Sequence, residues 1–180
     1  MNAMSNLILI GPMGAGKTTN GKWLARQLGK TFIDMDAYIE QKTGTGITHI
    51  FELEGEAGFR QREAAALAEI LANENQVIAT GGGSILLDAN RELMKRRGLV
   101  LYMHIPPEMQ LQRLLNDRKR PLLQTGDRAE RLQQLAAVRT PIYQSCADIK
   151  IDISRMPMSQ IRPHLLKTLL EHGMSNNHHA

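Results

Sequence analysis

The sequence predicts an α/β fold in which helices flank a parallel sheet. Short apolar runs alternate with helical patterns along the 180-residue chain, which is typical of such a sheet. The first run, Leu7–Ile10, is apolar at every position and therefore fits a strand buried on both faces. A glycine-rich turn joins it to a helical pattern at Lys17–Leu28, which Gly29 can end by adopting a left-handed conformation.

The later elements continue this alternation. In chain order we expect a strand at Thr31–Asp34, a helix at Phe59–Asn73, a strand at Val77–Thr80, a helix at Asp88–Arg97, a strand at Leu99–Ile105, a helix from Glu108 to about Asn116 and a helix at Ser159–His172. Asp88 can N-cap its helix, and Asp127 with Glu130 resembles a capping box for another. Residues 149–153 alternate apolar and polar side chains, so this strand is expected at a sheet edge.

Length and composition favour one domain. With 42% hydrophobic residues, the chain can bury one sizeable core and has little length left for a second. We expect a single domain at residues 1–173 and a disordered polar tail at residues 174–180. Residues 117–126 show little apolar periodicity and are expected to form a mobile loop.

Charge and cysteine content limit the function classes. The formal net charge is +4, but the basic residues are scattered, and the run Arg118–Arg120 contains no aromatic residue of the kind nucleic-acid binders interleave. A small anionic ligand explains the excess at least as well. The single cysteine, Cys146, excludes an intramolecular disulfide, and no apolar stretch is long enough to span a membrane. We therefore expect a cytoplasmic protein that binds neither nucleic acid nor membrane.

A phosphate-binding motif follows the first strand. Residues Gly11–Thr18 match G-x-x-x-x-G-K-[ST] in full, between a strand and a helix as the motif requires. The glycines let backbone N–H groups point at phosphates, and the helix adds the positive end of its dipole. We expect Lys17 to reach the β- and γ-phosphates, Thr18 to bind Mg²⁺ and Thr19 to contact the α-phosphate. A glycine-rich turn with an accidental lysine is disfavoured because every motif residue is present.

This motif alone does not name a reaction, because GTPases, motor ATPases and small-molecule kinases share it. The chain contains no N-K-x-D guanine motif, which argues against a GTPase. It is also too short for the usual additions of a motor or transporter ATPase. A small kinase is therefore favoured.

Two carboxylates follow the second expected strand, at the strand end where open α/β sheets bind ligands. Asp34 and Asp36 are two apart, and such residues in an extended chain face the same side, so both can point into one cleft. There they can hold the hydration shell of Mg²⁺ or orient an attacking hydroxyl. Asp36 can also N-cap a helix at Ala37–Lys42, and the two roles do not exclude each other.

Arginines and glycines supply further candidates. Arg60 and Glu63 share a helix face, so the glutamate can orient the arginine towards a ligand carboxylate; a surface ion pair is the alternative. The triplet Gly81–Gly83 fits either close approach of a ligand to the backbone or a plain turn. Arg120 and Arg139 flank or follow the expected loop and can stabilise charge on a transferred phosphoryl group.

Taken together, the motifs resemble those of the shikimate kinase family, from about Leu7 to the final helix. The resemblance is carried by Gly-Pro-Met-Gly-Ala-Gly-Lys-Thr at 11–18, Asp-Met-Asp at 34–36, Gly-Phe-Arg-x-x-Glu at 58–63, Gly-Gly-Gly at 81–83, Arg-Pro-Leu-Leu at 120–123 and Arg-x-Pro-x-Tyr at 139–143. One motif alone could be accidental, whereas the ordered set is specific. Thr18 stands where some relatives have serine, which preserves the metal-binding hydroxyl.

The resemblance implies a nucleoside-monophosphate-kinase-like P-loop fold with a five-stranded parallel sheet. It also implies a substrate-binding segment at about residues 34–63 and a lid at about residues 117–127. The implied shikimate ligands are Asp36, Arg60, Gly82 and Arg139, with the arginines on the carboxylate. The implied ATP ligands are Gly14, Ala15, Gly16, Lys17, Thr18, Thr19, Arg120 and Arg155. Mg²⁺ is implied at Thr18, supported through water by Asp34.

On this basis we expect in-line transfer of the γ-phosphoryl group of ATP to the 3-hydroxyl of shikimate, in the pathway to chorismate and aromatic amino acids. Asp36 is expected to act as the base or to orient the hydroxyl, while Lys17, Mg²⁺ and Arg120 stabilise the phosphoryl charge. The expected partners are ATP, ADP and shikimate, and the chain is expected to be a monomer. The alternatives are a kinase of the same fold acting on gluconate or a nucleoside monophosphate, and a catalytically silent nucleotide-binding regulator.

Overall fold

A five-stranded sheet forms the centre of the computed structural model, which describes residues 6–115 and 127–175. The strands are β1 Leu7–Ile10, β2 Thr31–Asp34, β3 Gln76–Ala79, β4 Leu99–His104 and β5 Ile149–Asp152. They lie in the spatial order β2-β3-β1-β4-β5, and every neighbouring pair is parallel. The predicted α/β class and the five-stranded parallel sheet are confirmed.

Helices cover both faces of this sheet. They are α1 Lys17–Leu28, α2 Met35–Thr43, α3 Ile47–Leu71, α4 Asp88–Arg97, α5 Pro107–Arg113, α6 Arg128–Cys146 and α7 Met158–Glu171. Successive residues of β1 enter different cores: Leu7 and Leu9 pack with side chains of α1 and α7, whereas Ile8 and Ile10 pack with those of α3 and α4. Burial on both faces therefore explains why β1 is apolar at every position.

Several local predictions are confirmed. Gly29 ends α1 in a left-handed conformation with φ of 63°. The carboxylate of Asp127 caps α6 by accepting from the backbone N–H groups of Ala129 and Glu130. The strand β5 lies at a sheet edge, and its residues alternate between buried and exposed.

Two expectations about helix starts are wrong. The helix α3 begins at Ile47 rather than at Phe59, and Gly55, with φ of 68° and ψ of −176°, interrupts it. Residues 52–57 around this kink are exposed, so no apolar periodicity marks the first part of the helix. Asp88 does not cap α4, because Leu87 occupies the cap position and the Asp88 carboxylate pairs with Arg91 instead.

Part of the expected loop and tail cannot be compared with the structure. The loop at residues 117–126, including Arg118 and Arg120, lies outside the described residues, as do residues 176–180 of the tail. Among the helices within residues 6–115 and 127–175, none combines the length and apolar character that crossing a bilayer requires.

The buried amide of Asn6 provides a test of the fold. Its Nδ2 donates to the carbonyl of Asn73 at 3.0 Å, and its Oδ1 accepts from the backbone N–H of Gln76 at 3.0 Å. We expect Asn6→Ala to lower the free energy of unfolding by about 2–3 kcal/mol, because it leaves the buried N–H of Gln76 without a partner, whereas the carbonyl of Asn73 keeps the Gln76 side chain as a donor. Thermal denaturation should then show a melting temperature lower by roughly 4–12 °C.

A matched control is Gln41→Ala on the exposed surface of α2, which should change stability by less than about 0.5 kcal/mol. If the two variants melted at the same temperature, Asn6 would not anchor β1 and β3 as described.

Candidate active site

The P-loop at Gly11–Thr18 leaves the carboxyl end of β1 and turns into α1. Gly11 has φ of +146°, and a Cβ placed on it would collide with the carbonyl oxygen of Met103 in β4. Gly14 also has a positive φ, of +79°. Glycine is therefore required where the loop passes its neighbouring strand, as the motif predicted.

The ammonium group of Lys17 lies inside this loop. Its Nζ donates to the carbonyl oxygens of Gly11 at 2.7 Å and Pro12 at 3.0 Å, and the residue is largely buried. The positive charge is thereby held where phosphate oxygens would enter, and phosphates can replace loop carbonyls as its partners.

Two side chains of α5 also support the loop. Gln110 Nε2 donates to the carbonyl of Met13 at 2.9 Å, and Arg113 Nη1 donates to the carbonyl of Gly14 at 2.7 Å. Sequence reasoning missed both residues. The available signal was their spacing of three on the helix that follows β4, which places them on one face.

A cavity of about 440 Å³ opens beside the P-loop. It is lined by Gly14, Gly16, Lys17, Thr18, Thr19, Asp34, Asp36, Thr80 and Gly82, among others. Ala15 differs from the other predicted ATP ligands, because its side chain packs in the core and its backbone N–H donates to the carbonyl of Pro12. The structure thus brings the P-loop and both predicted carboxylates together at one cavity.

Asp34, not Asp36, is the cap of α2. Its Oδ1 accepts from the backbone N–H of Ala37 at 3.1 Å, and its Oδ2 accepts from the Thr18 hydroxyl at 2.8 Å. The expectation that Asp36 caps the helix is wrong because the helix begins at Met35, which places Asp36 in its first turn. The two carboxylates therefore share a cavity because Asp34 caps α2 and Asp36 lies in its first turn, and not because both lie on one side of an extended strand.

The pair of Thr18 and Asp34 fits a magnesium ion delivered with a nucleotide. Mg²⁺ usually keeps several waters and takes one or two protein groups together with substrate phosphates. The Thr18 hydrogen is donated to Asp34, which leaves lone pairs of the hydroxyl oxygen available to a cation. Within residues 6–115 and 127–175, no three His, Cys, Asp or Glu side chains lie close enough to hold a metal by themselves.

A second, smaller cavity of about 60 Å³ adjoins the first. Its lining includes Met13, Asp36, Phe59, Arg60, Glu63, Gly81, Gly82, Gly83 and Arg139. Asp36 and Gly82 border both cavities. A group bound in the small cavity would therefore lie next to the phosphate end of a nucleotide in the large one.

The ion pair of Arg60 and Glu63 is buried, so the alternative of a surface pair is wrong. Arg60 Nη1 lies 2.7 Å from Glu63 Oε1, and the side chains are 13% and 1% exposed. Burial raises the pKa of Glu63, and the adjacent guanidinium of Arg60 opposes this rise. Arg60 Nε is buried and has no hydrogen-bond partner among the described residues, so this donor is unsatisfied in the present conformation.

The glycine triplet makes room for these side chains. A Cβ on Gly81 would lie 2.7 Å from Glu63 Oε2, and one on Gly83 would overlap the guanidinium of Arg60. A Cβ on Gly82 would lie 3.3 Å from Arg139 Nη1. The turn after β3 is thus glycine-rich because protein side chains pack on it, an arrangement that neither interpretation of the sequence included.

Arg139 reaches the small cavity from α6 and is 6% exposed. Burial lowers the pKa of its guanidinium from the ordinary value, although arginine stays charged at neutral pH. With Arg60 it places two guanidinium groups around one small cavity. This arrangement suits a small anion with a planar carboxylate.

Arg155, another predicted ATP ligand, is not at these cavities. Arg155 follows β5, and its side chain is 86% exposed, with Nε 3.4 Å from Asp152 Oδ2. Arg120 lies outside the described residues. A further cavity of about 740 Å³ on the other side of the P-loop is bordered by Arg113, Ile153 and Met158.

Known proteins match this chain over most of its length. A family model described as shikimate kinase matches residues 13–170. A shikimate kinase of Nitrosococcus oceani is 45% identical over 167 residues, covering 93% of this chain and 88% of the relative. One of Halorhodospira halophila is 51% identical over 148 residues, covering 82% and 84%. The chain belongs to the shikimate kinase family.

Solved structures agree with the family assignment. A shikimate kinase from Acinetobacter baumannii, solved in complex with shikimate, has a TM-score of 0.90 and 43% identity, with 96% of each chain covered. A gluconokinase from Sinorhizobium meliloti has a TM-score of 0.60 at 17% identity, which shows a common fold and no more. The resemblance found in the motifs and the predicted fold are confirmed.

Substitution of Gly83 tests the packing of Arg60. Gly83 has φ of −98°, which alanine can adopt, so any effect of Gly83→Ala comes from the collision of its Cβ with the guanidinium. We expect the free energy of unfolding to fall by about 1–3 kcal/mol, as overpacking usually costs. Chemical denaturation measures this change directly.

Gly46→Ala is a suitable control, because φ is −72° and the nearest atom to its Cβ would be Glu40 Oε1 at 3.8 Å. It should cost less than about 1 kcal/mol. Equal stability of the two variants would contradict the packing of Arg60 on the triplet.

Proposed function

We propose that the chain transfers the γ-phosphoryl group of ATP to the 3-hydroxyl of shikimate and forms shikimate 3-phosphate. The observation that carries this proposal is that Asp36 borders both the P-loop cavity and the small cavity of the two arginines. In-line transfer needs the acceptor oxygen beside the γ-phosphate. A carboxylate where the cavities meet is placed to orient that hydroxyl and accept its proton. Membership of the shikimate kinase family supports the same reaction.

The acceptor is held by charge on one side and by backbone on the other. Arg60 and Arg139 bind the carboxylate of shikimate, and Glu63 fixes the orientation of Arg60. Gly82 presents its backbone at the junction of the two cavities. Positioning supplies most of the acceleration, because phosphoryl transfer requires little covalent chemistry from the protein.

The donor is held by the P-loop. Residues 14 and 16–19 and the positive end of α1 border the cavity for the phosphates, and Lys17 adds a positive charge there. The cavity beside Arg113 and Met158 offers space for the nucleoside. Direct contacts of ATP with Arg120 and Arg155 stay predictions.

We assign the Mg²⁺ site to the Thr18 hydroxyl, with Asp34 acting through water. A bound Mg²⁺ supplies charge that offsets the negative charge of the β- and γ-phosphates. The chain contributes a hydroxyl whose hydrogen is already donated to Asp34, so the oxygen is oriented before a nucleotide binds.

We further propose that one domain at residues 1–173 acts as a monomer in the cytoplasm and binds neither nucleic acid nor membrane. Lys17, Asp36, Arg60 and Arg139 of the proposed site all belong to this chain, so the proposed reaction requires no residue of a second copy. The basic runs in the sequence contain no interleaved aromatic residues, which supports the absence of a nucleic acid partner.

The rival acceptors of this fold fit less well. A nucleoside monophosphate needs a phosphate site and space for a base, whereas the acceptor cavity brings two arginines and Asp36 together, which suits an acceptor with one carboxylate and a nearby hydroxyl. Gluconate shares a carboxylate with shikimate, but the gluconokinase match is one of fold alone. A silent regulator would be expected to lack a motif residue, and Lys17, Thr18 and Asp36 all line the P-loop cavity.

The proposal is tested by a coupled ADP-release assay with shikimate, gluconate and a nucleoside monophosphate as acceptors. We expect turnover with shikimate to exceed turnover with the others by about tenfold to a hundredfold, since an acceptor whose hydroxyl is misplaced relative to Asp36 loses a charge-assisted hydrogen bond worth about 1.5–3 kcal/mol. Comparable turnover with gluconate, or ADP release independent of any acceptor, would overturn it.

The carboxylate of Asp36 is expected to be essential for turnover. Asp36→Asn keeps the size of the side chain but removes the proton acceptor and the charge that orients the hydroxyl, so kcat should fall by about 10²–10⁴-fold. Binding of ATP, measured by calorimetry, should stay within about twofold, because the P-loop is unchanged. A variant with near-normal kcat would contradict the assigned role.

Two substitutions of Asp34 distinguish its role as a helix cap from its role at the Mg²⁺ site. Asparagine caps helices as well as aspartate, so Asp34→Asn should keep the melting temperature, whereas Asp34→Ala should lose about 1 kcal/mol of stability. Both variants remove the carboxylate, so both should need about tenfold more Mg²⁺ for half-maximal activity. An unchanged Mg²⁺ requirement in Asp34→Asn would exclude Asp34 from the metal site.

A further inference from the structure

Tyr143 connects two elements of the acceptor site without lining the acceptor cavity itself. It lies one turn after Arg139 on α6, and only 2% of it is exposed. Its hydroxyl donates to the carbonyl oxygen of Gly82 at 2.5 Å. Arg139 approaches the same glycine, since a Cβ on Gly82 would lie 3.3 Å from Arg139 Nη1 and 3.5 Å from the Tyr143 hydroxyl. The hydroxyl therefore holds the turn after β3 beside the arginine on α6.

We propose that Tyr143 is a positioning residue for the acceptor, which sets Arg139 and the Gly82 peptide in their binding orientation. The inference rests on the proposed function, because that function assigns Arg139 and Gly82 to shikimate binding. Among the described residues, we find no other side chain that hydrogen-bonds to the Gly82 carbonyl beside Arg139. Arg139 projects from a helix and Gly82 lies in a turn, so their relative position depends on such a link.

The surroundings of Tyr143 hold its hydroxyl in place. Its ring stacks on that of Tyr102 in β4, with centroids 5.0 Å apart and planes at 24°. Burial also raises the pKa of the Tyr143 phenol well above its ordinary value. The hydroxyl thus stays protonated and can donate to Gly82 throughout the working pH range of a cytoplasmic enzyme.

The geometry also limits what this residue does. Tyr143 lines a narrow space behind Arg139, together with Gln110, Ala136 and Thr140, and not the acceptor cavity. Its effect on an acceptor must therefore pass through Arg139 and Gly82. Pro12 and Met13 of the P-loop border the same space, but the Tyr143 hydroxyl donates to Gly82 and not to the loop. The effect on ATP binding is therefore expected to be smaller than the effect on acceptor binding.

The test compares Tyr143→Phe with Tyr102→Phe. Each variant loses one hydroxyl and keeps the stacked pair of rings, but the Tyr102 hydroxyl contacts His104 Nδ1 at 2.7 Å, away from the acceptor cavity. We expect Tyr143→Phe to raise the KM and the calorimetric Kd for shikimate about tenfold, with the KM for ATP within about twofold. Tyr102→Phe should leave both KM values unchanged, even if it lowers the melting temperature equally.

The outcomes are distinct. A shikimate KM that is unchanged in Tyr143→Phe, or raised equally in both variants, would overturn the inference while the proposed function stood. Failure of the unmodified chain to phosphorylate shikimate would overturn the proposed function itself. A double-mutant cycle adds a further readout: Tyr143→Phe should have a smaller effect in an Arg139→Lys background, and full additivity would contradict a route through Arg139.

A measurement on the unmodified chain covers the case in which Tyr143→Phe does not fold. A buried, hydrogen-bonded phenol proton exchanges slowly enough to be observed by proton NMR at low temperature. Shikimate should shift the Tyr143 hydroxyl resonance, because Arg139 lies next to this hydroxyl, and ADP should leave the resonance unchanged. If shikimate did not shift this resonance, the proposal would be contradicted.

Discussion

The carbonyl groups of the P-loop impose the constraint on which the rest of the site depends. A loop that turns its N–H groups towards phosphate turns its carbonyls the other way, where they need donors. Lys17 of α1 serves two of them, and Gln110 and Arg113 of α5 serve the next two. The helix α5 can do so because β4, which precedes it, lies beside β1 in the sheet. Strand order thus decides which helix supports the loop.

The buried ion pair on the acceptor side is explained by the orientation that it gives to Arg60 and not by a contribution to folding stability. An ion pair as buried as that of Arg60 and Glu63 costs desolvation energy that its attraction often only offsets. The raised pKa of Glu63 has burial as its main cause, with a smaller contribution from the nearby Asp36. The pair is understandable as a device that holds Arg60 in one orientation at the acceptor cavity. Asp36 and Glu63 line this cavity together with Arg60 and Arg139, so charged groups of both signs are fixed around the acceptor.

Local signals in the sequence were sufficient for the P-loop motif itself and insufficient for contacts between elements that are distant in the sequence. The P-loop, the Gly29 terminus and the Asp127 cap each depend on a few contiguous residues, so the sequence predicted them. The start of α3 was missed because Gly55 and exposed neighbours interrupt its periodicity. Gln110 and Arg113 act on residues 97 and 99 positions away. Their spacing within α5 indicates a shared face but not the loop carbonyls that this face contacts.

The acceptor site depends on the absence of side chains at Gly81–Gly83, in the turn after β3. Side chains of α3 and α6 converge on this turn, and each glycine leaves space for one of them: Glu63 at Gly81, Arg139 at Gly82 and Arg60 at Gly83. A Cβ at any of these positions would displace a charged group, and the displacement would be large enough to weaken the hydrogen bonds of that group. The acceptor cavity is therefore shaped jointly by the arginines and by the glycines beneath them. A change of acceptor in this fold would require both sets to change, because a new side chain on α3 or α6 needs its own space at the end of β3.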